Sequence, residues 1–186
     1  MSPFEFISVM GSIVVALGIT CLLGGVADLI RWWRDTESRV FFLFLQLTLL
    51  SHLIGWWFGL WARHAQTNEF TLGTYLLVLQ IPATLFVAAR LLVPERGRDS
   101  APDWVTHFAS VRVPFFLLLA STVTTQLHHL WAGTQGFLEY WPIYAWCGAY
   151  AVGALTADRR VHWLIVSAAG ALLWGFFLSM RPAVGI

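Results

Sequence analysis

The chain has 186 residues, of which 58% are hydrophobic and only 11% are charged, and its mean hydropathy is +0.70. Soluble domains carry about 25% charged residues, so this composition excludes an ordinary soluble domain and predicts an integral membrane protein. The formal net charge of +1 gives no indication of a nucleic-acid partner. Cys21 and Cys147 lie inside apolar segments, which argues against a structural disulfide.

Six apolar segments follow one another with short connections between them. A membrane-spanning helix needs about 20 mostly apolar residues. The start of the chain lacks the basic region and the cleavage site of a signal peptide, so the first segment should remain as a span. The prediction is therefore an all-α fold, a single transmembrane domain over residues 1–186 that forms a polytopic bundle of six transmembrane helices. The spans lie at about 4–27, 40–62, 73–93, 113–132, 140–157 and 161–180.

The longest connection, residues 94–112, contains Trp104 and Phe108 four positions apart. Aromatic residues with this spacing share one face of a helix. Such a face favours a short helix that lies in the membrane interface and anchors the connection there.

The arginines predict the orientation of the bundle. Loops on the cytoplasmic side carry an excess of Lys and Arg, and nine arginines flank the first, third and fifth connections, against two on the other side. Both termini should therefore face outward. The nine are Arg31, Arg34, Arg39, Arg90, Arg96, Arg98, Arg112, Arg159 and Arg160, and the two are Arg63 and Arg181.

Small residues mark the places where membrane helices approach each other closely. Gly11, Gly18 and Gly25 recur every seven residues in the first span, and an exposed seam of this kind predicts a homo-oligomer. The fifth and sixth spans carry small residues at a spacing of four, which predicts a tightly packed antiparallel pair. These residues are Ala145, Ala149, Gly153 and Ala157, then Ser167, Ala171, Gly175 and Ser179.

Four stretches of the N-terminal half carry a family resemblance: Phe4-Glu-Phe-Ile-Ser8, Leu17-Gly-Ile-Thr-Cys-Leu-Leu-Gly-Gly25, Trp56-Trp-Phe-Gly-Leu-Trp61 and Val87-Ala-Ala-Arg-Leu-Leu-Val-Pro94. The half resembles an uncharacterised group of short bacterial six-span integral membrane proteins. The resemblance implies six spans and a location in the bacterial inner (cytoplasmic) membrane. It implies nothing about mechanism.

The fourth predicted span ends in a polar run, residues 121–131. Polar groups at membrane depth are costly and turn inward to partners, water or a ligand. At about 1.5 Å per residue, His52 lies roughly 18 Å along the second span and His128 roughly 23 Å along the fourth, so their levels are similar. We therefore predict an outward-facing polar chamber. Its lining residues are Ser51, His52, Gln80, Thr125, Gln126, His128, His129 and Glu139.

Three interpretations of this chamber stay open. It is a hydrogen-bonded network that fixes helix register, as in a structural or accessory membrane subunit. It admits an ion, a proton or a small solute, as in a channel or transporter. Or it is a redox site in which His52 and either His128 or His129 bind haem b or a metal, or the chamber binds quinone. No haem or metal motif and no paired intramembrane carboxylates occur, so neither a bound cofactor nor an enzyme is favoured. The transport interpretation is the functional prediction.

Overall fold

The computed structural model describes residues 3–63, 72–95, 101–131 and 141–179. These residues form helices and short connections and contain no strand. This confirms the predicted all-α fold class. The helices are α1 (Pro3–Arg31), α2 (Arg39–Arg63), α3 (Leu72–Leu92), α4 (Trp104–Trp131), α5 (Trp141–Leu155) and α6 (Arg159–Ser179).

Within the described part of the chain, four segments are long and apolar enough to cross a membrane: Phe4–Arg31, Arg39–Leu60, Tyr75–Leu92 and Trp104–Thr125. They support a membrane-embedded protein. Helix α5 has 15 residues, which at 1.5 Å per residue extend about 22 Å, less than the roughly 30 Å of a bilayer core. The count of six spans therefore stays a prediction.

The first, third and fifth connections lie at one end of the bundle, where the start of α4 packs on the start of α2 through Trp104 and Phe42. Glu37 and Arg159 form an ion pair. The His107 ring donates from Nε2 to the carbonyl of Leu91 over 2.8 Å, and the His162 ring donates from Nε2 to the carbonyl of Gly153 over 3.1 Å. We call this the basic end. It is formed by the ends of α1, α3 and α5 and the starts of α2, α4 and α6. The side of the membrane that it faces stays a prediction.

An aromatic cluster fills the bundle next to the basic end. Its rings come from α2 and α4 and meet mostly edge to face, as in the pair Phe41–Phe108 with centroids 5.8 Å apart. Such pairs contribute about 0.5–1.5 kcal/mol beyond the burial of their area. The cluster therefore fixes α4 against α2 at this level. Its members are Phe41, Phe42, Trp104, Phe108, Phe115 and Phe116.

The prediction of a separate interfacial helix around Trp104 is wrong. The residues from Trp104 onward continue without a break into α4, with Pro114 inside the helix. Trp104 and Phe108 are buried in the core, with exposed fractions of 1% and 6%. Their shared face packs on Phe42, so the aromatic spacing indicated burial against a neighbouring helix and not contact with headgroups.

The glycine seam of α1 lies inside the bundle, so its predicted role in self-association is wrong. A Cβ atom at Gly11 would lie 2.7 Å from the Trp56 ring, and one at Gly18 would lie 2.9 Å from Leu53. A Cβ atom at Gly25 would lie 2.7 Å from Val93. The seam lets α2 and α3 approach α1. A homo-oligomer stays a prediction, but without this support.

The ridges of α5 and α6 do not form the predicted tight pair either, because α5 packs mainly on α4. A Cβ atom at Gly153 would lie 2.9 Å from the Phe116 ring of α4. On α6, Ser167, Ala171 and Gly175 are exposed, while Gly170 faces Phe44 of α2. A ring of α4 therefore fills the gap at Gly153, whereas the α6 ridge points away from the bundle and the contact with α2 is made by Gly170, which is not part of that ridge.

Candidate functional site

The chamber predicted from the sequence is described only in part. Gln126, His128 and His129 belong to α4, but their side chains lie outside the described residues, as does Glu139 altogether. Gln80 is half-buried in α3. The structure therefore leaves the chamber as a prediction.

The other predicted chamber residues bond to their own helices. The Ser51 hydroxyl donates to the carbonyl of Leu47 over 2.8 Å, and the Thr125 hydroxyl donates to the carbonyl of Ser121 over 2.9 Å. The His52 ring donates from Nδ1 to the carbonyl of its helix neighbour one turn earlier over 2.8 Å. Such bonds satisfy a buried polar group locally, so these residues do not by themselves indicate a ligand.

A small void lies beside His52, between α2, α4, α5 and α6. Its volume is about 10 Å³, and its walls include Thr48, Phe116 and Tyr150. A cavity of this size holds about one water molecule. Phe116, a member of the aromatic cluster, closes the void toward the basic end, so the described part of the bundle offers no room there for a solute.

A larger pocket, of about 100 Å³, lies at the basic end. By the measure that gives the void beside His52 room for one water molecule, this space has room for several waters or for a small oxyanion. We call it the basic pocket. It is lined by Ser38, Phe41, Phe42, Val105, Phe108, Ala109, Arg112, Ala157, Arg159 and His162.

Two polar atoms of the basic pocket are buried without a partner among the described residues: the hydroxyl oxygen of Ser38 and Nε of Arg112. Ser38 directly precedes α2, where a serine normally accepts a hydrogen bond from the first turn. Here its backbone has a φ of 59°, whereas a capping residue is usually extended. The Ser38 hydroxyl therefore does not cap α2 in the usual way.

His162 and Arg159 bring α6 to the same pocket. The His162 ring is buried, stacks on Phe116 with centroids 5.4 Å apart, and is oriented by its bond to the Gly153 carbonyl. Arg159 is half exposed and pairs with Glu37 over 3.2 Å, while the Glu37 side chain is 76% exposed. Arg159 therefore borders both the pocket and solvent.

The charge around the basic pocket favours an anion. Its described lining contains two arginines and a histidine and no acidic side chain. Helices α2, α4 and α6 all begin at this end, so their partial positive N-terminal charges add to the field. Asp158 and Asp103 offset part of that field, because Asp158 accepts a bond from the Arg160 amide at the start of α6 and Asp103 caps α4. A bond from the Thr106 backbone amide to its carboxylate, 3.0 Å long, lowers the pKa of Asp103, with a smaller contribution from the Thr106 hydroxyl.

The sequence interpretation counted these arginines only as markers of orientation and did not consider His162. A signal was present, since Arg112 stands between the apolar residues Val111 and Val113, where a solvated charge is out of place. Ser38, which lines the same pocket, could not be identified from the sequence, because its conformation depends on how α1 connects to α2.

Fold and pocket together define the class: an all-helical protein whose longest helices suit a membrane, with a cationic pocket at one end. Comparisons with protein-family models, with curated proteins and with solved structures found no match for this chain. Among the described residues, no group of three or more His, Cys, Asp or Glu side chains is placed to hold a metal ion.

Proposed function

We propose that the chain is a six-span membrane protein that binds a phosphate-type anion in the basic pocket, at the end predicted to face the cytoplasm. The observation that carries the proposal is the pair of buried donors, Arg112 Nε and the Ser38 hydroxyl, which line one pocket and lack partners among the described residues. An oxyanion presents several acceptor oxygens, and it would satisfy both groups at once.

The energetic argument rests on the cost of an unpaired buried donor. Such a group costs about 1–3 kcal/mol, and a charged one costs more. A hydrogen bond between ionised partners contributes about 1.5–3 kcal/mol, and a guanidinium matches the oxygens of a phosphate in two parallel bonds. Arg112 therefore gains more from an anion than from water, which reaches its Nε poorly.

Phosphate binding by the protein in uncharged detergent tests the proposal. Inorganic phosphate is titrated and its affinity is measured by calorimetry, with thermal stability as a second measurement. Loss of one charged hydrogen bond should weaken binding by about tenfold or more in Arg112→Gln, since 1.4 kcal/mol is a factor of ten. Arg160→Gln is the matched control, because Arg160 is exposed and does not line the pocket. Equal affinities of wild type and Arg112→Gln would refute the proposal.

Glu37 provides a test in the opposite direction. Its carboxylate binds Arg159 and so competes with an anion for that side chain. An exposed ion pair contributes only about 0–1 kcal/mol, so Glu37→Gln should raise the affinity for phosphate by up to about fivefold. A variant that merely damaged the fold would lower the affinity instead.

Transport through the chamber is a second candidate. The observation in its favour is His52, a half-buried imidazole in the middle of α2 that packs on Trp146 of α5. A free imidazole titrates near pH 6.5, so flux of protons or small ions in reconstituted vesicles should change between roughly pH 5 and 7. His129→Ala should flatten this dependence and Thr124→Ser should not. Absence of flux at every pH would make the chamber a structural network.

The redox alternative has a simpler test. An absorption spectrum of the purified protein shows whether haem is bound, and we expect none. A Soret band that disappears in His52→Ala would assign the iron to that histidine, with His128 or His129 as its partner.

A further inference from the structure

We propose that the phosphate that occupies the basic pocket belongs to a membrane phospholipid, whose acyl chain lies along the outer surface of α4. The inference rests on the proposed function, because it names the source of the anion. It adds the α4 ridge, which we define as Val105, Ala109, Val113 and Leu117.

The chemical make-up of the pocket favours an amphiphile over a free anion. Its cationic side chains are those of Arg112 and Arg159, and most of its remaining walls are aromatic rings and methyl groups. A free phosphate would make the same polar bonds, but its remaining oxygens would face the apolar walls and lose hydration there without a compensating bond. A phosphodiester presents its charged oxygens on one side and an apolar continuation on the other, which matches this division.

The α4 ridge provides a path for that continuation. Val105 and Ala109 line the pocket and are exposed on the outside of the bundle, as are Val113 and Leu117. Residues four apart lie next to each other on a helix surface, so the four form one continuous row. Twelve residue steps at 1.5 Å make the row about 18 Å long. The row starts at the pocket and runs toward the middle of the predicted span.

The level of the pocket in the membrane agrees with a headgroup phosphate. The pocket lies where α2, α4 and α6 begin, which is where the polar headgroup region meets the hydrocarbon core. Basic pockets between membrane helices on the cytoplasmic side suit anionic headgroups. A lipid reaches such a pocket by lateral diffusion, with its phosphate already at the required depth.

The test uses the full chain in nonionic detergent with two probes, phosphatidylglycerol and inorganic phosphate. Native mass spectrometry measures retention of the lipid, and calorimetry measures the affinity for phosphate. Arg112→Gln should weaken the binding of both ligands by about tenfold or more. Arg160→Gln should change neither affinity by more than about twofold. Val113→Gln alters the ridge at a position whose side chain is 45% exposed, and it should weaken only the binding of the lipid.

The outcomes separate the two proposals. Lipid binding that depends on both Arg112 and Val113 supports the inference. If phosphate binding depends on Arg112 but lipid retention is unchanged in Val113→Gln, the lipid assignment is overturned and the proposed anion pocket is retained. If Arg112→Gln changes the binding of neither the lipid nor phosphate, both proposals are overturned. If Arg112→Gln does not fold, Arg159→Gln replaces it, and it should weaken the binding of both ligands by a smaller factor, because Arg159 is half exposed and paired with Glu37.

Discussion

Gly25→Ala tests the internal packing of the glycine seam. An added Cβ atom would lie 2.5 Å from Oε1 of Gln46 and 2.7 Å from Cγ2 of Val93. Carbon atoms in contact prefer about 3.5–4.0 Å, so the overlap with Val93 is about 1 Å. Gln46 is fully buried, and any movement of its amide displaces other core atoms.

The size of the effect follows from two opposing contributions. Overpacking a filled core costs about 1–3 kcal/mol, whereas replacing Gly by Ala inside a helix returns up to about 1 kcal/mol. Gly148→Ala is the matched control, because its added Cβ atom would meet no atom within 4 Å. The helix contribution is common to both variants, so Gly25→Ala should be less stable than Gly148→Ala by about 1–3 kcal/mol.

Reversible unfolding of the detergent-solubilised protein, followed by circular dichroism during a denaturant titration, measures the difference between the two variants. The comparison needs no absolute stability, since each variant is referred to the same wild type. Equal stabilities would mean that α1 does not approach α2 and α3 as closely as the structure has it. The seam would then again be available for self-association.

Three further predictions use the same preparation. Gly18→Leu, whose first added atom would lie 2.9 Å from Leu53, should lower the melting temperature or the yield of folded protein, and a shift from oligomer to stable monomer would contradict this. His162→Phe keeps a ring against Phe116 but leaves the Gly153 carbonyl without its bond, and it should cost about 1–3 kcal/mol of unfolding free energy; a neutral result would count against the described contact. Since the Thr106 amide lowers the pKa of Asp103, the ionised carboxylate stabilises the fold above the unfolded-state pKa of about 3.9, and this stabilisation disappears as the pH falls through the lower, folded-state value. The melting temperature of wild type should therefore fall more steeply than that of Asp103→Asn between about pH 5 and pH 3, and parallel curves would exclude the capping role.

The sequence predicted where the helices lie but not which helices pack against each other, and the reason is physical. Hydropathy and the need for about 20 apolar residues locate a helix without reference to any other helix. Which helices pack together depends on which large side chain enters which gap. Nothing in the sequence around Gly153 indicates that Phe116 of α4 fills the gap there. The same holds for Gly18, whose period of seven indicates close packing but does not tell an internal partner from a second copy.

For the candidate site, the sequence drew attention to polar residues inside a span, and the described ones proved to bond within their own helices. Ser51 and Thr125 can do so because a short hydroxyl side chain reaches the carbonyl one turn earlier. Arg112 cannot satisfy itself in that way, since its donors extend far from its own backbone. Its Nε is buried in a pocket that is also lined by the rings of α2, and only the folded bundle brings those rings close.

The backbone of Ser38 predicts a trade-off between the stability of the fold and the proposed binding of an anion. A serine in the left-handed region costs about 1–2 kcal/mol, which a glycine at the same position would avoid. Glycine would also remove the hydroxyl that lines the pocket. Ser38→Gly should therefore raise the melting temperature while it weakens phosphate binding. A higher melting temperature together with weaker phosphate binding is the result expected if Ser38 binds the ligand at a cost to the stability of the fold.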